Sequence, residues 1–159
     1  MRHLALTLVA ILAFGAFGAT PVLDALAADG WAARAKRVRG DVQVERAGAR
    51  TPLQVGDRLG ADDVVVTGDD GGAGLTFIDN TRVSIGPNAR LEIARYAFRP
   101  GDPGAETALE AKMDRGIATF VSGRITERRP GAMQVRTPAA LLGVRGTTFI
   151  VSTGTPLDR

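Results

Sequence analysis

The chain has 159 residues, 20 of them Lys or Arg and 17 Asp or Glu, for a formal charge of +3, with no cysteine and a single histidine. Without cysteine there are no disulfides, thiolate metal sites or cysteine nucleophiles, and with His3 as the lone imidazole the rest of the chain lacks the usual general base of neutral pH and the commonest metal ligand. The pI near 10.1 says little about nucleic acid, because so few groups titrate between the carboxylates and the amines that a small positive excess sets it.

In chain order, Arg2 precedes an apolar run over residues 4–17, and Ala25-Leu26-Ala27 follows the helix-breaking Thr20-Pro21. This is the n-region, h-region and A-x-A order of a secretory signal peptide over residues 1–27. It predicts processing between Ala27 and Ala28 and a periplasmic or secreted location. An uncleaved anchor over residues 4–23 is the alternative and would be the chain's one membrane contact, but Gly15, Gly18, Thr20 and Pro21 interrupt it.

Residues 28–38 read as a lead-in, with a short helix over 31–36. Residues 39–152 then alternate short apolar segments with Gly, Pro, Asn and Asp, the punctuation of an all-β domain, and 153–159 form a tail. The expectation is a single domain of short, mostly antiparallel strands in a roll or sandwich, with β-solenoid-like stacking as the alternative. Roughly 130 residues suffice for one core. Strands are predicted over 42–46, 63–67, 74–78, 82–85, 90–96, 107–113, 117–121, 133–137 and 147–152. Leu75 and Phe77, and likewise Leu91 and Ile93, fall at the period of two that puts side chains on one buried face. Asp79-Asn80-Thr81 suits a tight hairpin turn with a left-handed residue, Gly86-Pro87-Asn88 ends the next strand, and residues 99–105 and 127–131 are surface connections.

Residues that could carry chemistry are few. Asp62-Asp63 and Asp69-Asp70 are adjacent pairs whose side chains point to opposite faces of a strand, which no hydrolase mechanism can use. A calcium site built on Asp62, Asp69 and Asp70 lacks EF-hand spacing. Gly68 to Gly74 carries no phosphate-loop Lys-Ser/Thr and reads as a turn with positive-φ positions. Ser84, Ser122 and Ser152 have no histidine to activate them, and Trp31 and Tyr96 are too isolated to stack bases or sugars. Neither a catalytic residue, a metal site nor a cofactor is predicted, nor a nucleic-acid partner.

Several short motifs in order carry a resemblance: Val55-Gly56-Asp57-Arg58-Leu59, Asp63 to Gly68 ending in Thr67-Gly68, Ala73 to Asp79, and Ile85-Gly86-Pro87-Asn88-Ala89-Arg90-Leu91. Gly116 to Phe120, Val135-Arg136-Thr137-Pro138-Ala139 and Gly143-Val144-Arg145-Gly146-Thr147-Thr148-Phe149 complete them. Over about residues 39–152 the chain resembles the FecR domain family. The resemblance implies a periplasmic, β-rich, non-enzymatic domain that binds or signals through another envelope protein of unknown identity. Family members that regulate sigma factors carry a cytoplasmic segment ahead of a membrane helix and a further β-rich extension. Here two residues precede His3 and the chain stops soon after Val151, so the expectation is a stand-alone exported domain. A cell-wall or saccharide-binding structural adaptor is the alternative function. The motif residues Gly56, Asp57, Thr67, Gly68, Asp79, Gly86, Pro87, Asn88, Thr137, Pro138, Gly146 and Thr147 read mostly as makers of turns and strand ends. Arg145, on an apolar segment, is expected to pair in the interior with Asp57, Asp63 or Asp79, with a ligand or partner contact as the alternative.

Overall fold

The computed structural model describes residues 30–154; the expected leader, the expected processing site at Ala27 and Ala28, and residues 155–159 lie outside the described residues. The elements in chain order are β1 (Trp31–Arg39), β2 (Val42–Arg46), β3 (Ala49–Pro52), β4 (Arg58–Gly60), β5 (Val64–Thr67), β6 (Gly72–Phe77), β7 (Arg82–Ile85), β8 (Arg90–Ala97), β9 (Ala108–Val121), α1 (Arg124–Arg128), β10 (Met133–Arg136), β11 (Leu141–Val144) and β12 (Thr148–Thr153). All twelve strands join one curled sheet with the path β3-β2-β5-β8-β9-β7-β6-β1-β4, while β10 and β12 attach to β9 and β11 attaches to β10. The domain is therefore all-β and rolled, and the one parallel pairing is β10 with β9. No helix among the described residues is long and apolar enough to cross a membrane.

The roll depends on β9, which serves both halves of the sheet. Its first part lies between β8 and β10, and its last part between β7 and β12. Leu109, Ala111 and Met113 face the core in the first part, but Ala118 and Phe120 do so in the second, so the inward parity changes from odd to even. The register explains the change: Leu91 opposes Met113 while Arg90 opposes Arg115, leaving Asp114 as an extra residue. Such a bulge bends the strand and strengthens its twist without surrendering the buried face. Gly116 completes the bend at φ +92 with its Cα tucked against Ala89.

Both halves contribute to one core. Leu75, Val83 and Phe120 come from one side and Val65, Leu91, Ile93 and Leu109 from the other, with Ile125 of α1 and Met133 of β10 closing the end. Phe77 and Tyr96 meet across the halves at 5.5 Å, and Phe120 stacks on Phe149 at 5.0 Å, where such contacts add to the area buried.

Most predicted strands lie within a residue or two of their observed bounds, and Asn80 takes the left-handed turn conformation at φ 69. Three readings need correction. The segment read as a lead-in with a short helix over 31–36 is β1, because Ala32, Ala33 and Ala35 are small enough to lie flat in the interior and the strand pairs with both β4 and β6. Segments 107–113 and 117–121 are one strand, since the glycine between them bends the ladder and does not end it. The glycines from Gly68 to Gly74 hold no positive φ; instead, a Cβ at Gly71 would run into the Asp41 carbonyl oxygen, so close approach of backbones is what requires a glycine there.

Replacing Gly116 by alanine forces a Cβ to within 2.5 Å of the Ala89 Cα and Cβ at a left-handed φ. The expected loss is about 3 kcal/mol or more, from backbone strain plus overpacking, read as a lower midpoint in urea unfolding. A midpoint equal to the wild type would show that the bend at β9 tolerates a side chain.

Candidate functional site

The family-motif residues do not converge on one cavity. Gly56 and Asp57 turn the chain into β4: Gly56 sits at φ 101 and Asp57 accepts the Gln54 N–H at 2.8 Å. A second group joins β5 to the turn between β7 and β8. The Thr67 hydroxyl donates to the Gly86 carbonyl at 2.7 Å and accepts the Ala89 N–H at 2.8 Å, while the Asn88 N–H donates to the Gly68 carbonyl. Gly86 lies so close to β9 that a Cβ would meet Ile117 Cγ2 at 2.6 Å, and Pro87 is exposed at the tip.

Asp79 is fully buried and carries the densest polar cluster. Its carboxylate accepts the Thr81 hydroxyl at 2.6 Å, the Ile125 N–H at 3.3 Å and the Tyr96 hydroxyl at 3.2 Å. Its own N–H donates to the Tyr96 oxygen at 3.0 Å, and Thr81 accepts the Gly123 N–H. One side chain thus ties the β6–β7 hairpin to β8 and to the start of α1. Burial, and then the Asp79 charge, push ionisation of Tyr96 far above the ordinary tyrosine range. Asp63, also buried, accepts a forked pair of bonds from Arg46 at 2.7 and 2.8 Å and the Gly60 N–H at 2.7 Å. These carboxylates are saturated by structural donors, which leaves no free pair for acid–base work.

The reading of Arg145 as an interior pair is wrong. Asp57, Asp63 and Asp79 are engaged as just described, and Arg145 lies in an exposed turn with Gly146 at φ 62. The apolar composition that suggested burial instead marks a surface: Leu141 is 57% and Ile150 64% exposed. Thr147 beside it exchanges bonds with Ser122, and Thr137 caps the turn after β10 by accepting the Ala139 and Ala140 N–H groups, with Pro138 exposed.

Two surfaces of the roll remain open. The first is the edge of β12, which pairs with β9 on one side alone. The other free margins are blunted: β3 is four residues ending in Pro52, β4 is three residues opened by Arg58, and β11 contains Gly143. By contrast β12 runs six residues, Thr-Phe-Ile-Val-Ser-Thr, with neither charge nor proline. The second surface is a groove of about 560 Å³ across the outer face of β1, β6 and β7, lined by Lys36, Arg37, Arg39 and Arg82. Sequence reasoning passed over both. Gly72-x-Gly74 at strand spacing, facing Arg37-x-Arg39, was the available signal for the groove.

Comparison with known proteins adds to this geometry. Residues 63–157 match the model of the family described as FecR protein. The chain belongs to the FecR family. No curated protein matches it. Among solved structures this FecR domain is similar to a "Cell surface anchoring domain", 28% identical, covering 39% of this chain and 83% of that one, with a TM-score of 0.38.

Two outcomes follow for the FecR domain. As pH rises above the ordinary tyrosine value of about 10, unfolded chains ionise their tyrosine while the folded protein does not, so the unfolded state holds fewer protons and stability falls. Tyr96 is the single tyrosine, so tyrosinate absorbance in an alkaline titration is expected to rise together with unfolding; a rise in the still-folded protein would show that the Asp79 cluster is open. Arg145→Ala is expected to shift stability by no more than about 0.5 kcal/mol, as for other exposed positions. A loss of several kcal/mol in denaturant unfolding would restore the interior pair.

Proposed function

We propose that this FecR-family chain is a non-catalytic binding module of the bacterial envelope, exported by its leader and processed after Ala27, that takes a protein partner at the open edge of β12. The observation that carries this reading is the contrast between β12 and the three blunted margins. A long, uncharged, β-branched edge is a template for strand addition, in which the partner's main chain supplies hydrogen bonds and alternate side chains supply selectivity. Ile150 projects from this strand with 64% of its surface exposed, giving an added strand an apolar cross-strand neighbour. The FecR family is a regulatory, signalling family, which agrees with a module that acts by contact. Saturation of Asp63 and Asp79 by structural donors, and a single histidine at position 3, support the absence of chemistry.

The test uses the full chain in its own envelope. A photoreactive residue at position 150 is expected to form a crosslink to another protein, whereas one at position 50 on β3 is not. Ile150→Lys, at an exposed position, is expected to melt within about 0.5 kcal/mol of the wild type while losing the partner captured in that experiment. Absence of any protein adduct at position 150, or retention of the same partner by Ile150→Lys, would overturn the reading.

A further inference from the structure

We infer that the groove on the outer face of β1, β6 and β7 binds an acidic polysaccharide, a linear chain that presents carboxylates among hydroxyls. This goes beyond the protein contact at β12 and concerns a different surface, so either can fail alone.

The register builds the groove. In β1 the pairing moves from Ala35 opposite Leu75 to Arg37 opposite Gly74, which makes Lys36 an extra residue. After this bulge Lys36 and Arg37 are both exposed, Val38 turns inward, and Arg39 faces out again. Arg37 then lies directly across from Gly74, and Arg39 directly across from Gly72. On the far side of β6, Gly74 opposes Ser84 and Thr76 opposes Arg82. The cations of β1 and the groups of β7 therefore flank a strip of β6 that has no side chains at its centre.

Gly72 is not required by the backbone, whereas at Gly74, across from the β1 bulge, an added Cβ would come within 3.3 Å of Arg37 Cβ, a tight fit. Neither has a positive φ, and at Gly72 an added Cβ would make ordinary contacts, 3.5 Å to the Ile85 carbonyl oxygen and 3.9 Å to Arg39 Nη2. Glycine in a strand interior weakens the strand, and a frequent reason to keep it is the close approach of a ligand. The charge pattern points the same way. On the other half of the sheet three cations are held in pairs: Arg90 with Glu45 and Asp114, Lys112 with Glu92 and Asp114, and Arg95 with Glu106 and Glu110. Around the groove, Lys36, Arg37, Arg39 and Arg82 form no ion pair among the described residues, and no Asp or Glu lines it.

The class of ligand follows from what the groove offers and withholds. Arginine forks match carboxylates, and the Ser84 and Thr76 hydroxyls at the floor can exchange hydrogen bonds with sugar hydroxyls. No aromatic ring lines the groove, so it lacks the stacking platform by which single-stranded nucleic acid is held. A peptide would gain no main-chain ladder over the floor, because β6 and β7 are paired on both sides, and the margin of β1 beyond Ala35, which β4 does not reach, is blunted by Lys36, Arg37 and Arg39.

The probe is polygalacturonate, titrated into the full mature chain in low salt with neutral dextran, oligothymidylate and polyglutamate of matched charge alongside. Binding to polygalacturonate is expected to exceed that to the other three and to weaken as salt is added. The double variant Arg37→Glu and Arg39→Glu is expected to lose at least about tenfold in affinity, since each carboxylate contact becomes a repulsion. Gly72→Val leaves the charge unchanged and suits a strand, so its melting temperature is expected to equal or exceed the wild type while its affinity falls at least about tenfold by filling the floor. No binding to polygalacturonate above dextran, undiminished binding by either folded variant, or tighter binding of oligothymidylate or polyglutamate would each overturn the proposal.

Discussion

One constraint governs this fold: a single strand must present buried side chains to one concave core while bordering four neighbours. Between Ala108 and Val121 the ladder passes from β8 and β10 to β7 and β12. A regular strand of that length would keep odd residues inward throughout, and the twist needed to curl the sheet would carry its later residues away from the core. The extra residue at Asp114 and the left-handed Gly116 resolve the conflict in three positions. Because Gly116 rests against Ala89, and Ala89 is held by Thr67, the bend is fixed from outside the strand as well as within it. The motif residues around Thr67, Gly86 and Asn88 thus gain their sense from β9.

The polar interior follows from the same geometry. A curled sheet brings loop ends inward, and their backbone groups need partners once water is excluded. Asp79 meets that need where a hairpin, β8 and α1 converge, and Asp63 meets it where β2 and β4 approach. A buried carboxylate is a costly choice unless each lone pair has a donor. Here each has donors from separate elements, so displacement of any one element would take a bond from a buried charge. The clusters therefore couple local turns to global closure.

The legibility of the sequence followed the range of the forces involved. Alternation at Leu75, Phe77, Leu91 and Ile93 and the turn residues Asn80 and Pro87 act within a few positions, and the strands they bound were readable. β1 was not, because alanines at 32, 33 and 35 are helix formers whose strand conformation is imposed by pairing with β4 and β6. Arg145 was misjudged for the opposite reason: Leu141 and Ile150 are apolar enough for a core but fall on margins of the sheet, and a margin is a property of topology. The family was legible from ordered short motifs, whereas the groove depends on which residues lie across β6, a pairing that composition does not contain.

The bulges link architecture to surface chemistry. At two bulges of the sheet the extra residue is charged and lies off the buried face. In β9 that residue is Asp114, which joins Arg90 and Lys112 in the ion-pair network on one half of the sheet. In β1 it is Lys36, which adds a cation beside Arg37 in a groove that no described Asp or Glu lines. The Arg90 hydrogen bond holds Glu45 below the ordinary carboxylate range, a sign that the first half satisfies its charges internally. The same bending device thus adds an ion-paired carboxylate on one half and, among the described residues, a cation without an ion pair on the other. A row of exposed cations is weakly repulsive in isolation and gives nothing to the fold, so its opposing charge is to be sought beyond the described residues.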